Sequence, residues 1–211
     1  MSDIVLIGTG GLARETVWAL PPGRVRGFVT HDVAEHGTQV CGLPVLGEER
    51  WLIGRDDVAA VCCIGDPRAR RRIVGTLESE GVRFETVIHP SALMCAHVEI
   101  GEGCIIGARA TLTTQVTLGR QVIVGVGTTV SHDCTLADFA TLAPGVVLAG
   151  SVQIDEGAEL GAGVTAKPGT RVQRGALVGA AAAVIADVEA NSVVAGVPAR
   201  PLRRFAPEDH F

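Results

Sequence analysis

His132 and Asp133 are adjacent, and this pair has the residue types for proton transfer. A carboxylate next to an imidazole favours one ring tautomer and supports its basicity, so the ring can take a proton near neutral pH. Such a base is worth about 10² to 10⁴ in rate. The plain alternative is a solvated corner histidine beside a solvated aspartate. A second candidate lies near the start, where Gly8-Thr9-Gly10-Gly11-Leu12-Ala13 fits the GxGxxA form of a dinucleotide fingerprint. Glycines there let backbone N–H groups approach a diphosphate at a helix N-terminus. That loop is open to three readings: NAD, another nucleotide diphosphate, or a tight turn of purely structural value.

The elements that position His132 follow from a six-residue period. From Ile88 through Met94, Ile100, Ile106, Leu112 and onward to Val184, seventeen positions six apart are large aliphatics except Ala166. Ile, Leu, Val and Met make up only 59 of 211 residues, so the run is not chance. Two residues earlier, from Thr86 and Ala92 to Ala182, every position is Ala, Cys, Thr or Val. A period of six with two inward residues is neither the helical 3.6 nor the plain 2 of a flat sheet; it indicates a parallel β-helix of hexapeptide repeats, three sides to a coil. Glycines at 101, 107, 119, 125, 161 and 179 suit its corners. Five to six coils at roughly 4.8 Å each give a prism on the order of 27 Å long. His132 follows the inward Val130 by two and precedes the inward Cys134, so it belongs to a corner or outer face. One coil away are Thr114 and Gly150, and the small Ala149 and Gly150 leave room for a groove. His97 reads as a surface residue.

Residues 1–87 have another pattern. Strands are expected over Asp3–Ile7, Val25–Val29, Val58–Ile64 and Val82–Val87, with helices over Leu12–Leu20 and Pro67–Glu80. That order is a small α/β unit with a largely parallel sheet. Arg68, Arg70, Arg71 and Arg72 open the second helix, either as a solvated face or with Arg70 leaning toward a phosphate.

Composition narrows the function class. The net charge of −5 and the lack of a basic tract argue against nucleic acid. No apolar run reaches membrane-span length and the chain opens on a strand-like DIVLIG, so a cytoplasmic protein is expected. Six cysteines show no CxxC pair and read as reduced thiols, with Cys104 and Cys134 as small core residues.

The segment SHDCTLADFATLAPGVVLAG (131–150), followed by VQIDEGAELGAGVTAKPGT and VVAGVPARPLR, resembles the sugar acetyltransferases of the left-handed β-helix superfamily. With LIGTGGLARE, CCIGDPRARRRI and FETVIHPSALM, nearly the whole chain is similar to the sialic acid O-acetyltransferase and UDP-4-amino-sugar N-acetyltransferase family. The resemblance implies a Rossmann-like nucleotide-sugar domain at 1–87, a left-handed β-helix at 88–190 and a CoA-proximal segment at 191–211. It implies His132 as base, supported by Asp133, for attack of a nucleotide-linked 4-amino-4,6-dideoxy sugar on acetyl-CoA, with the Gly150 N–H as oxyanion donor. Nucleotide sugar falls to Gly10, Gly11, Leu12 and Gly65. Acetyl-CoA falls to Thr141, Ala162 and Ala180, in a groove between subunits of a homotrimer. Gly196 to Arg200 matches the segment closing the CoA end, where Arg200 and Arg203 would meet phosphates or remain a solvated tail. No metal is implied. The chain departs from the family's usual His at Thr141 and at Leu12. Thr30-His31 stands where an acidic pair is usual, with Asp32 one place late.

Competing readings are O-acetylation of a sugar hydroxyl and a non-catalytic nucleotide-binding scaffold. A zinc-dependent hexapeptide enzyme of the γ-carbonic anhydrase type needs three converging imidazoles. His97 and His132, 35 residues apart, do not provide them within one chain.

Overall fold

The computed structural model describes residues 3–206 and 211. Its first part is a five-stranded sheet between two helices: β1 (Asp3–Ile7), α1 (Gly11–Ala19), β2 (Val25–Val29), β3 (Gln39–Val40), β4 (Leu43–Gly47), β5 (Val58–Cys62) and α2 (Pro67–Ser79). The strand order is β3-β4-β2-β1-β5, parallel except for β3 against β4. β1 lies between β2 and β5, and its alternate residues serve two cores. Ile4 and Leu6 pack on the α1 side, Val5 and Ile7 on the α2 side.

Two features differ from the sequence-based expectation. The β3–β4 hairpin turns on Cys41-Gly42, both at positive φ (51° and 75°), the geometry of a tight two-residue turn. That turn usually carries Asn-Gly or Asp-Gly, so Cys-Gly gave no cue. The expected strand Val82–Val87 does not form. Phe84 makes one bridge to Ala60 beside β5, and Val87 then joins the second part of the molecule by pairing with Ile105.

That second part is a prism of three parallel sheets whose strands pair with residues eighteen on, as Thr111 does with Thr129 and Thr135 with Gln153. The first side runs from Val87–Ile88 through Thr141–Leu142 to Leu177–Val178, the second from Leu93–Met94 to Ala183–Val184, and the third from Val98–Ile100 to Arg171–Val172. Both inward ladders are buried as expected: Ile106, Leu112, Leu136 and Leu148 in the large one, Ala110, Val122, Cys134 and Ala140 in the small one. Cys104 and Cys134 are core residues, each donating its thiol to a backbone carbonyl fifteen residues on. Burial of each large aliphatic contributes about 1.5–3 kcal/mol. Ile88 and Met94 remain 37% exposed because no coil lies above them.

The corner glycines are required for a different reason than corner bending. Gly101, Gly107, Gly125 and Gly161 do not have positive φ; a Cβ on any of them would come within 2.6–2.8 Å of the backbone of the coil stacked below. The period is shortened by two residues at its end, where Val188 bridges Val172 and Val194 pairs with Val178. Strand Ser192–Ala195 therefore continues the first side beyond residue 190 before Arg200–Arg204 folds back antiparallel.

The first part sits on the first side of the prism. Outward residues there are Ile105, Ile123, Thr141, Glu159 and Leu177, and Ile105 and Ile123 are buried in the α1 core. Outward residues of the third side are Glu99, Thr117, Thr135, Gln153 and Arg171, a solvated polar row. Among the described residues no helix is long and apolar enough to cross a membrane, and no group of three His, Cys, Asp or Glu side chains is arranged to hold a metal.

Candidate active site

His132 occupies the corner between the second-side strand Thr129–Val130 and the third-side strand Thr135–Leu136. Its side chain is 62% exposed. The coil repeat fixes the corner on both sides: Asp133 N–H donates to the Thr114 carbonyl one coil above, and Ser151 N–H donates to the His132 carbonyl from one coil below. Asp133 takes the left-handed conformation (φ 60°), which turns the chain and brings its carboxylate back onto the ring. Nδ1 lies 2.7 Å from Asp133 Oδ2. An ionised carboxylate only accepts, so Nδ1 carries a proton, and in the neutral ring it is Nε2 that has the lone pair. Among the described residues nothing bonds Nε2.

Gly150 lies directly beneath that ring. A Cβ on Gly150 would fall 2.4 Å from His132 Cε1 and 2.6 Å from Nε2, so any side chain at 150 would displace the imidazole. The Gly150 carbonyl accepts from Gly169, while its N–H makes no hydrogen bond among the described residues. A free base nitrogen and a free backbone donor thus share one exposed corner.

Gly10, Gly11, Leu12 and Gly65 line one cavity of about 340 Å³, together with Thr9, Thr30, His31, Glu49, Cys63 and Ile64. Gly8, at φ 94° and with room for a Cβ only 2.9 Å from Ile64 Cδ1, is a glycine for the chain's own packing. At Gly10, Gly11 and Gly65 a Cβ would meet no protein atom within 4 Å, and none of the three has positive φ. The space in front of them is open to something other than the chain. No side chain caps α1 at Gly10, so the first-turn N–H groups remain available to an anion.

Thr30 and His31 do reach this cavity, whereas Asp32 caps the short turn Val33–Glu35 by accepting from Ala34 N–H. Glu35 accepts from Thr9 Oγ1 at 2.5 Å, and is an acid that sequence reasoning missed. It lies beyond the expected pair, without a spacing signal. Leu12 also walls a second, apolar cleft of about 220 Å³ with Trp18, His89, Ile105 and Val126.

Ala162 and Ala180 are exposed and stacked at the corner between the first and second sides, with Ala181 N–H on the Ala162 carbonyl. Thr141 is placed differently. Its side chain is buried under α2, accepting from Arg70 Nη2 at 2.8 Å and donating to the Gly65 carbonyl at 3.3 Å. Arg70 is neither solvated nor aimed at the cavity: it is fully buried, with all its N–H groups on chain oxygens. The signal was available, because residue 70 shares the buried stripe of α2 with Pro67, Val74 and Leu77. Arg71 and Arg72 are exposed, and Arg68 packs its guanidinium 4.2 Å from the Phe205 ring. Arg200 and Arg203 are exposed on the last strand, beside a cavity of about 420 Å³ at the end of the prism.

Burial raises the thiols of Cys62 and Cys63 to about 12 and that of Cys104 to about 11, so none is a nucleophile. Glu159, next to Thr141 on the first side, is also raised, chiefly by burial and then by Asp66, against Arg70 and Arg68.

No protein-family model matches the chain, and no curated protein sequence matches it. Solved structures do. The acetyltransferase domain of PglB from Neisseria gonorrhoeae is 30% identical over 96% of this chain and 100% of that one, with a TM-score of 0.89. PerB from Caulobacter crescentus, solved with CoA and GDP-perosamine, is 31% identical over 96% and 98% of the two chains, with a TM-score of 0.88. A variant of a protein from the same organism is described as a perosamine N-acetyltransferase. WeeI from Acinetobacter baumannii is 28% identical over 96% and 100%, with a TM-score of 0.86. Identity of this extent along the full length, over a prism carrying the corner histidine, shows that the chain belongs to the hexapeptide-repeat sugar N-acetyltransferases.

Proposed function

We propose that the protein transfers the acetyl group of acetyl-CoA to the amino group of a nucleotide-linked 4-amino-4,6-dideoxy sugar, with His132 as general base. One observation carries this reading: Asp133 holds the Nδ1 proton, so Nε2 stands free beside the unbonded N–H of Gly150. The amine nitrogen attacks the thioester carbonyl as Nε2 takes its proton. The Gly150 N–H donates to the oxyanion, a contribution of roughly 3–4 kcal/mol. Collapse breaks the C–S bond, and the thiolate leaves as CoA with the proton returned from the imidazolium. PerB was solved with CoA and GDP-perosamine, and the PglB domain with acetyl coenzyme A, which supports both co-substrates here.

The nucleotide occupies the cavity of Gly10, Gly11, Leu12 and Gly65 in a Rossmann-like unit, its diphosphate at the N-terminus of α1. Ala162 and Ala180 flank the pantetheine, and Arg200 and Arg203 lie toward the CoA phosphates. Thr141 acts through its bonds to Arg70 and Gly65 rather than on CoA. The active assembly is a homotrimer of left-handed prisms. Outward residues of the second side are Leu93, Thr111, Thr129, Val147, Thr165 and Ala183, a row without a charge. His132 lies at one edge of that side and Ala162 and Ala180 at the other, so packing these faces brings one subunit's base to its neighbour's cleft. All six cysteines are free, which suits the reducing cytoplasm.

The test is a screen of UDP-, GDP- and CDP-linked amino sugars with acetyl-CoA, following thiol release and the mass of the product. A 4-amino sugar should gain one acetyl group that survives mild alkali as an amide. A product cleaved by alkali is an ester and would replace this reading with O-acetylation. No acetyl-CoA binding by calorimetry would leave only a scaffold.

A further inference from the structure

Arg70 stands on the buried stripe of α2 where an aliphatic would be expected, and no carboxylate is among its hydrogen-bond partners. Its Nε donates to the Gln121 carbonyl at 3.1 Å, Nη1 to the carbonyls of Ile64 at 2.7 Å and Gly65 at 2.9 Å, and Nη2 to the Phe139 carbonyl at 2.7 Å and Thr141 Oγ1 at 2.8 Å. Five N–H groups meet five acceptors, so the fork is saturated. Burial lowers the guanidinium only to about 10, which keeps it charged at neutral pH. Two of the acceptors belong to the loop after β5, which walls the glycine cavity. The other three belong to the prism, on the corner and first side at Gln121, Phe139 and Thr141. The Thr141 hydroxyl closes the ring by donating to the Gly65 carbonyl.

We propose that Arg70 is a positioning residue for the nucleotide end of the substrate: from inside the junction it pins the Ile64–Gly65 wall of the cavity to the prism, so the cavity and the acetyl-transfer corner keep one fixed relation. The proposal rests on the reading of that cavity as the nucleotide-diphosphate site. Gly65 has no side chain with which to hold itself in place, and its carbonyl is engaged by Arg70 and Thr141, while the Ile64 carbonyl accepts from Arg70. A lysine at 70 keeps the charge but offers three donors from one atom instead of a planar fork. It can serve one side of the junction and not both.

The experiment is steady-state kinetics on the full chain carrying Arg70→Lys or Thr141→Val, with UDP, GDP and CDP titrated into each and into the parent by calorimetry. Each lost hydrogen bond corresponds to about fivefold in an equilibrium constant, so R70K should raise KM for the nucleotide sugar about tenfold or more and T141V about fivefold. KM for acetyl-CoA should stay near that of the parent, because Ala162 and Ala180 lie on another corner. An unchanged nucleotide-sugar KM in T141V, or an equal rise for both substrates, would overturn the assignment even if R70K fails to fold. A parent protein that binds none of UDP, GDP and CDP would instead remove the cavity reading, and the assignment with it.

Discussion

The corner at His132 and the junction at Arg70 treat a nitrogen-rich side chain in opposite ways. At the junction every N–H of Arg70 is matched and solvent is excluded from it, so the group can only hold structure. At the corner the imidazole is exposed, one nitrogen is fixed by Asp133 and the other is left open beside an unbonded N–H. Unmet hydrogen-bonding capacity at a defined place is what a reacting group needs, and saturated capacity is what a junction needs. The prism supplies both from one repeat, because corners project side chains outward while the first side carries the apolar residues that the α/β unit covers.

This contrast can be broken at either end. Short of removing His132 itself, the largest effect is expected at the corner from Gly150→Ala, whose methyl group would occupy the space of Cε1 and Nε2. Turnover should fall by about 10² to 10³ with the thermal midpoint little changed, since the ring swings into solvent. Near-parental turnover would mean that the stacked position of the ring is irrelevant. At the junction, Arg70→Met should lower unfolding free energy by about 3 kcal/mol in urea, because buried carbonyls lose their donor. A loss under about 0.5 kcal/mol would contradict the saturated fork.

The smallest effect is at Glu159, and it depends on pH. Burial raises its pKa in the folded state, so above the ordinary carboxylate range the folded chain holds a proton that the unfolded chain has released. Stability therefore falls as pH rises through that window. Glu159→Gln should raise the thermal midpoint near pH 7 and leave it unchanged at pH values where the carboxyl is protonated in both states. An equal difference at all pH values would show that the side chain acts by packing.

The prism was legible because its physics is periodic. Each coil repeats the demand for a large and a small inward residue, and seventeen such demands in a row leave one architecture. The candidate corner followed from the same count, which placed His132 outside the core and Gly150 one coil below it. What could not be read was whatever depends on two parts meeting. Thr141 has the spacing of an outward residue, but nothing in the period tells that α2 covers it. Arg70 looks like one of four helix arginines until its register with Pro67, Val74 and Leu77 is counted. The β3–β4 hairpin is hidden because Cys41 accepts a left-handed conformation that its residue type does not advertise. The shortened final coil, sixteen residues rather than eighteen, has no counterpart in a strict period of six.

The account depends most on His132 as the group that accepts the proton. Turnover and thermal unfolding of His132→Ala, measured together on a nucleotide amino sugar that the parent protein acetylates, test this directly. The expected result is a fall in turnover of about 10² to 10⁴ with an unfolding curve that overlays the parent's, as an exposed ring predicts. Turnover within a few-fold of the parent, in a protein equally folded, would contradict it.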